Sequence, residues 1–485
     1  MKREISELMD EDSAAHPQND PASAKMGNQP IPKLLLSMAW PVILSMIVMA
    51  TYNIVDSAYV ARIPGLGEAA LSALGLAFPI QQLMVAFAVG TAVGMNALIS
   101  KRLGQKRVLD ANIAAGNGLL ILMLTSLAFV AFGLTMPRFL VRLFSADETI
   151  IRLGTDYLRI CCCFSMGLYI QIGFERLMTA QGKTVYAMIL QLVGALSNIV
   201  LDRIFVLGWR IVPPMGVAGA AIATVMGQWL AMFLCMPLIL GKRHEVRPQL
   251  RLFAPKKWAI KKIYRVGLPS ITMQGVGVIM LLGMNWVLSQ YDGNTAAAVF
   301  NVYYKVQSLV FMPCFGITHA AMSIFAYNFG AKRPDRVLRT FWVSVLYSGI
   351  FMLAGLLIFQ LIPGPLLSTL FKAEGDLLTL GVAAFRTISI CFLPAAVSII
   401  STTLFTSLGR ATYGMWVSLI RQLIVLLPMA FLLSYLFKNV SAVWWAYPIA
   451  EFFALLLSLG IFFRVKKTVI DVAADGHNKA VREIR

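Results

Sequence analysis

Charge is what this sequence has least of. Asp, Glu, Lys and Arg make up 13% of its 485 residues, while 58% are hydrophobic. A water-soluble chain of that length needs far more polar surface, so a soluble enzyme or binding module is excluded. No GxxxxGK[ST] segment is present, and GxGxxG-like spacings among the 36 glycines have no strand context, which leaves an ATP-driven machine nothing to rest on. Histidine is sparse and scattered, at His16, His244, His319 and His477. The six cysteines, Cys161, Cys162, Cys163, Cys235, Cys314 and Cys391, lie within apolar runs and lack CxxC spacing. They read as small apolar fillers rather than metal ligands. Catalytic triads and metal clusters are absent, so neither an enzyme nor a bound cofactor is expected. A basic leader is missing as well: residues 1–33 carry Glu4, Glu7, Asp10, Glu11, Asp12 and Asp20, the reverse of a signal-peptide n-region. That segment is expected to be a disordered cytoplasmic tail.

What fills the chain instead is apolar runs of about 20 residues or more, the length that crosses a bilayer as helix. They fall at roughly 34–61, 68–100, 110–135, 150–174, 185–206, 216–240, 262–289, 295–327, 337–361, 377–405, 412–437 and 442–463. The expectation is an all-α polytopic membrane protein of about twelve transmembrane helices. Pro41, Pro79, Pro269, Pro313, Pro394 and Pro428 are candidate bends.

The formal charge of +19 does not imply a nucleic-acid partner, because the basic residues sit in alternate loops rather than on one face. Most of the 42 Lys and Arg fall on one side. Only Arg62, Arg138, Arg142, Arg152, Arg203, Arg210, Lys372 and Lys438 lie in the opposite loops. By the positive-inside rule both termini are cytoplasmic, in a multi-pass protein of the bacterial plasma membrane. The longest polar interruption, Gly241 to Trp258, divides the chain into an N-lobe (34–240), a cytoplasmic linker (241–261), a C-lobe (262–463) and a basic cytoplasmic tail (464–485).

Self-comparison supports two six-helix halves. Thr179-Ala-Gln-Gly182-Lys183-Thr-Val-Tyr186-Ala-Met188 matches Thr406-Ser-Leu-Gly409-Arg410-Ala-Thr-Tyr413-Gly-Met415 at an offset of 227 (406 − 179). Gly104-Gln-Lys106-Arg107 matches Gly330-Ala-Lys332-Arg333 at 226 (330 − 104), and Pro41 matches Pro269 at 228 (269 − 41). An offset spanning six segments keeps both halves in the same orientation, the parallel-repeat plan of a secondary transporter.

Without a nucleotide site, energy for transport is expected from an ion gradient, which requires titratable or cation-coordinating groups inside the membrane. A carboxylate in hydrocarbon costs about 2.5–3.5 kcal/mol on insertion scales, so each one asks for a reason. Asp56 in the first span and Asp202 in the fifth are the clear cases in the N-terminal half. Asp56 lies 23 residues beyond Lys33 (56 − 33) and Asp202 19 beyond Lys183 (202 − 183), which places them at similar depth. Asn198 is one turn before Asp202 on the same face, and Tyr52 and Asn53 sit one turn before Asp56. The spacing permits a polar cluster able to bind a proton or a small cation. An interfacial ion pair of Asp202 with Arg203 is the alternative for that residue. Glu175-Arg176 at a cytoplasmic span end reads as a local pair. In the C-terminal half Glu451 has Arg421 and Arg386 as candidate partners, with Lys305 in the same polar network, and buried pairing is the simpler account.

The chain resembles the multidrug and toxic compound extrusion (MATE) family over nearly all its spans. The resemblance rests on Tyr52-Asn53-Ile54-Val55-Asp56, Ala73-Leu74-Gly75-Leu76-Ala77-Phe78-Pro79, Ala180-Gln181-Gly182-Lys183 and Asn198-Ile-Val-Leu-Asp202. It rests further on Gly216-Val-Ala-Gly219-Ala-Ala-Ile-Ala-Thr224, Gly267-Leu-Pro269 and Val443-Trp-Trp-Ala-Tyr447-Pro448. It implies two six-helix lobes around a V-shaped cavity, and export of cationic or amphipathic small molecules against a proton or sodium gradient. It also implies that Asp56, Asn198 and Asp202 couple ions as in the DinF-like branch, with Thr224 a neighbouring hydroxyl. Spans seven and ten contain no acid, unlike the NorM-like branch, and Arg203 stands where many relatives have proline. The expected activity is H⁺- or Na⁺-coupled antiport by a monomer. The alternative is a flippase of a lipid-linked precursor.

Overall fold

The computed structural model describes residues 21–63, 66–209, 212–240, 244–247, 253–290, 295–371 and 374–470. The terminal tails beyond these bounds and parts of the expected linker lie outside the described residues, as does the side chain of Asn53.

Inside a bilayer each backbone N–H and C=O must be satisfied within the segment, and the apolar runs accordingly form helix. The spanning elements are α1 (Ile31–Ala61), α2 (Gly67–Gly104), α3 (Val108–Thr135), α4 (Glu148–Cys163 with Met166–Ala180), α5 (Thr184–Phe205) and α6 (Gly216–Leu240). They continue with α7 (Lys257–Leu288), α8 (Thr295–Gly330), α9 (Pro334–Leu361) and α10 (Gly375–Ser389 with Phe392–Ser407). Then come α11 (Ala411–Leu419, a π turn at Ile420–Ile424, and Leu426–Phe437) and α12 (Val440–Val443 with Ala446–Val465). Among the described residues ten helices are long and apolar enough to span, or twelve when α4 and α10, each broken by 50°, are counted as single spans. Large apolar side chains such as Trp40, Leu124, Phe233, Trp286, Trp342 and Phe431 are exposed, as a lipid-facing surface requires.

The matching motifs of the two halves turn out to be helix C-caps. Lys106 and Lys332 both take positive φ (57° and 55°), as do Gly182 and Gly409 (78° and 79°). After each left-handed residue the next N–H returns to a carbonyl five residues back: Arg107 to Arg102, Arg333 to Asn328, Lys183 to Met178 and Arg410 to Phe405, all at 2.9 Å. These bonds satisfy terminal carbonyls that would otherwise be orphaned.

The prolines act differently from one another. α1, α2, α7 and α8 run as continuous helices through Pro41, Pro79, Pro269 and Pro313. Pro394 follows the break in α10 and Pro428 follows the π turn of α11, each where a missing N–H removes a helical bond. The break in α4 has no proline. There the Phe164 carbonyl accepts from Trp229 Nε1 at 2.9 Å, and the Ser165 hydroxyl bonds the Ser126 carbonyl at 3.4 Å.

Two compact units emerge, one of Leu44–Ile271 with the segment up to Gln29, the other of Pro30–Ile43 and Thr272–Arg485. The divisions fall inside α1 and α7 rather than in the polar stretch between α6 and α7. That stretch is strapped to the first unit. Gln181 exchanges two hydrogen bonds with the Val246 backbone (3.0 and 3.2 Å), while Asn112 and Asn117 accept from the backbone N–H groups of Arg247 and Lys256.

Candidate functional site

The carboxylates of the first unit meet where α1, α4, α5 and α6 converge. α5 and α6 approach through glycines: a Cβ on Gly227 would lie 2.8 Å from the Gly194 carbonyl and 3.4 Å from the Asn198 amide nitrogen. This close seam brings Asn198 against Thr224. With the Asn198 amide oriented to suit its partners, its oxygen accepts from the Thr224 N–H (3.1 Å) and hydroxyl (3.3 Å). Its nitrogen donates to Asp202 Oδ2 (3.1 Å). Asp202 is fully buried, and its Oδ1 accepts no hydrogen bond from the described residues.

Asp56 reaches the same place from α1. Its Oδ1 is likewise buried and has no donor among the described residues. Asp56 and Asp202 lie within electrostatic reach of each other, and Tyr52 lies within reach of both. Helical spacing accounts for Tyr52 beside Asp56 and Asn198 beside Asp202, since residues four apart project from one face. The alternative for Asp202 does not occur: Arg203 is exposed, and its Nη1 donates to the Gly208 carbonyl at 3.3 Å.

Tyr157 and Gln81 are members that sequence reasoning missed. Tyr157, on the first arm of α4, donates its hydroxyl to Gln81 Oε1 of α2 at 3.3 Å and lies within electrostatic reach of Asp56 and Tyr52. The only available signal was a tyrosine and a glutamine inside apolar spans. Around them Val60, Ala77, Val141, Leu158, Val206 and Val217 form a buried apolar wall.

The site therefore holds two carboxylates with vacant lone pairs, one oriented amide, two hydroxyl-bearing aromatic groups and a threonine. These are hard oxygen donors, suited to a proton or an alkali cation and unsuited to a soft transition metal. Among the described residues no group of three His, Cys, Asp or Glu forms a metal cluster.

In the second unit, Arg421 Nη1 and Glu451 Oε2 are 3.8 Å apart, with Glu451 buried and Arg421 on the π turn of α11. Lys305 and Arg386 are exposed and are not brought to this pair. Arg386 engages through its carbonyl, which accepts from Gln360 at 2.7 Å.

Helices of spanning length make this a polytopic membrane protein, and its first unit holds two carboxylates that each keep one oxygen without a donor among the described residues. The MatE family profile matches residues 41–204 and 269–432, and the chain belongs to that family, whose members are transporters and not enzymes. The chain is 26% identical over 439 residues to the probable multidrug resistance protein YoeA of Bacillus subtilis, covering 87% of this chain and 91% of that protein. It is 21% identical over 445 residues to a FAD transporter of Shewanella oneidensis, covering 92% and 96%. The solved structure of the MATE multidrug transporter DinF-BH superposes with a TM-score of 0.84 at 29% identity, covering 92% of this chain and 97% of that one.

Proposed function

We propose that this protein exports amphipathic organic cations, drugs among them, in exchange for H⁺ or Na⁺ entering through the Asp56/Asn198/Asp202 site. The observation that carries the reading is the pair of buried carboxylate oxygens, one on Asp56 and one on Asp202, that no donor among the described residues satisfies. Two like charges in a desolvated site repel and are costly to keep, so a proton or cation between them is strongly favoured. Asn198 fixes one carboxylate and Thr224 fixes Asn198, so a change of charge at the site is felt by α1, which supplies Asp56 and Tyr52. Ion and drug then favour different arrangements of the unit, and binding of one weakens binding of the other by the same factor. Alternation between those arrangements links ion entry to drug exit. The relatives named as multidrug resistance and multidrug export proteins support the cargo class.

A lipid-linked or otherwise anionic cargo would call for cations at the site, and the Asp56/Asn198/Asp202 site has none among the described residues, with Arg203 turned to the Gly208 carbonyl. Two cytoplasmic termini, following the distribution of Lys and Arg, belong to the same reading.

The test is ethidium transport in proteoliposomes with ΔpH and ΔNa⁺ imposed separately. Transport driven by one of them, and lost in Asp56→Asn, is the expected result. Transport indifferent to both gradients, or full activity of Asp56→Asn, would sink the reading.

A further inference from the structure

Asp56 and Asp202 are not the only buried acids of the first unit. Glu175, on the second arm of α4, is 7% exposed. It was expected to form a local pair with Arg176, yet both its carboxylate oxygens are taken by neutral amides. Gln171 Nε2 donates to Oε1 at 3.1 Å and Gln191 Nε2 donates to Oε2 at 2.9 Å. The Ser45 hydroxyl of α1 donates in turn to Gln191 Oε1. Arg176, its neighbour in the chain, is the charged group within electrostatic reach of Glu175, at no ion-pair contact with it. The oxygen of the Gln171 amide is buried and has no donor among the described residues.

The placement of these groups repeats on two helices. α1 carries Ser45, Tyr52 and Asp56, and α5 carries Gln191, Asn198 and Asp202. In both, the second residue follows the first by seven (52 − 45; 198 − 191) and the third by eleven (56 − 45; 202 − 191). Seven and eleven residues are close to two and three whole helical turns, so each trio lies along one face. The lowest rung is joined by the Ser45–Gln191 hydrogen bond, and the highest by the electrostatic contact of Asp56 and Asp202. Tyr52, within reach of both upper acids, stands level with Asn198 between them. A single polar seam thus runs from the outer carboxylates to Glu175, about 16 Å along the helix at 1.5 Å per residue.

We propose that Glu175, with Gln171, Gln191 and Ser45, is a second ion-binding position for the same H⁺ or Na⁺, at the inner end of the α1/α5 seam. The inference rests on the ion-coupled reading above. A carboxylate has about four lone-pair sites, and two amide donors leave room for a proton or for a small cation shared with the Gln171 oxygen. A purely structural glutamate at this burial would need a cation in direct contact or a full set of donors, and among the described residues Glu175 has two amide donors and no ion-pair contact. Loading at Glu175 competes with the Gln191 amide and so loosens the Ser45 rung, which connects the inner position to α1.

The experiment measures ethidium uptake and ethidium affinity in proteoliposomes for the wild type, Glu175→Gln, Glu175→Asp and Ser45→Ala, across a titration of the driving ion. The wild type comes first: if neither ΔpH nor ΔNa⁺ drives uptake, the ion-coupled reading fails, whatever Glu175 does. With coupling present, Glu175→Gln is expected to keep ethidium affinity within about twofold while its ion-driven uptake falls about tenfold or more. Its ion-dependence midpoint should shift by a similar factor, within the usual range of coupling between sites. Glu175→Asp should restore part of the uptake, and Ser45→Ala should shift the midpoint about threefold in the same direction. If Glu175→Gln does not fold, Ser45→Ala decides alone. A wild-type midpoint in the folded variants would overturn the proposal.

Discussion

The two halves of this chain share an architecture and differ in what they bury. The family match recurs at an offset of 228 (269 − 41), which carries Tyr52 to Met280, Asp56 to Met284, Asn198 to Leu426 and Asp202 to Ala430. In the first unit these positions form the carboxylate site; in the second all four belong to one buried hydrophobic cluster, with Met284 and Ala430 fully covered. The repeat has exchanged the chemistry, and it buries Met280 and Met284 where Tyr52 and Asp56 are only partly buried. Apolar side chains at these positions remove the desolvation cost that the acids impose, and the lobe gains an aromatic core in which Tyr303, Phe359, Phe385 and Phe392 pack edge to face. A duplicated fold needs helices of the same length in both halves, whereas ion coupling needs an unpaired acid in only one of them.

The second unit keeps Glu451, its one buried acid among the described residues, in a different way. Glu451 has Arg421, and Arg421 sits in a π turn that holds one residue more than an α-helical turn. The repeat offset differs by one residue on either side of this turn. It is 227 at Thr179 and Thr406, before the turn, and 228 where the family match ends, after it (432 − 204).

The sharpest way to break the comparison is to put the chemistry of one half into the other. Met284→Asp places a carboxylate in an apolar core with no cation to meet it and should cost about 3–5 kcal/mol, the usual range for an uncompensated buried charge. Thermal unfolding in detergent would show it as a large fall in Tm, and an unchanged Tm would mean that this core tolerates charge as the first unit does. The reverse exchange acts on transport: Asp56→Asn should lower ion-driven ethidium uptake about a hundredfold, equivalent to about 2.7 kcal/mol, with drug binding retained. Gly227→Ala tests the seam that presents Asn198. Its new Cβ would press on the Gly194 carbonyl and should destabilise the unit by about 1–3 kcal/mol. Weaker ion dependence should accompany that loss as Asn198 moves from Thr224. Met284→Leu, conserving volume at the matching position, should cost less than about 1.5 kcal/mol and leave ion coupling intact. Smallest of all, Arg203→Ala should change stability by no more than about 0.5 kcal/mol, because Arg203 is exposed and not paired with Asp202. A large effect there would restore the ion pair as a working feature.

Much of the site could be read from the chain because acids in apolar runs are rare and expensive. Asp56 and Asp202 stood out on that ground, and helical spacing placed Tyr52 with the first and Asn198 with the second. Thr224 came only through the family resemblance, and the hydrogen bond to Asn198 now gives it a physical role. Tyr157 and Gln81 were illegible, since tyrosine and glutamine in a span have many uses and only the packing of α2 against α4 shows which one applies. Glu175 was visible and misassigned. Adjacency to Arg176 suggested a pair, but neighbours in a helix point in different directions, and the carboxylate turned instead to amides on its own helix and on α5. Lys305 and Arg386 failed as partners of Glu451 for a similar reason: charge marks a candidate, and direction decides.

The carboxylate pair thus separates two kinds of determination. Length and hydropathy dictated the helices, because a bilayer leaves an apolar backbone few other ways to satisfy its hydrogen bonds. The seven-and-eleven spacing on α1 and α5 dictated which residues share a face, because 3.6 residues per turn is a local property. Tertiary structure alone decided that Asp56 and Asp202 should confront each other with unsatisfied oxygens, that Arg203 should turn away, and that Glu175 should close the lower end of the same seam. Those outcomes depend on helix contacts such as the Gly194–Gly227 approach, where long-range packing sets orientations that no local rule contains.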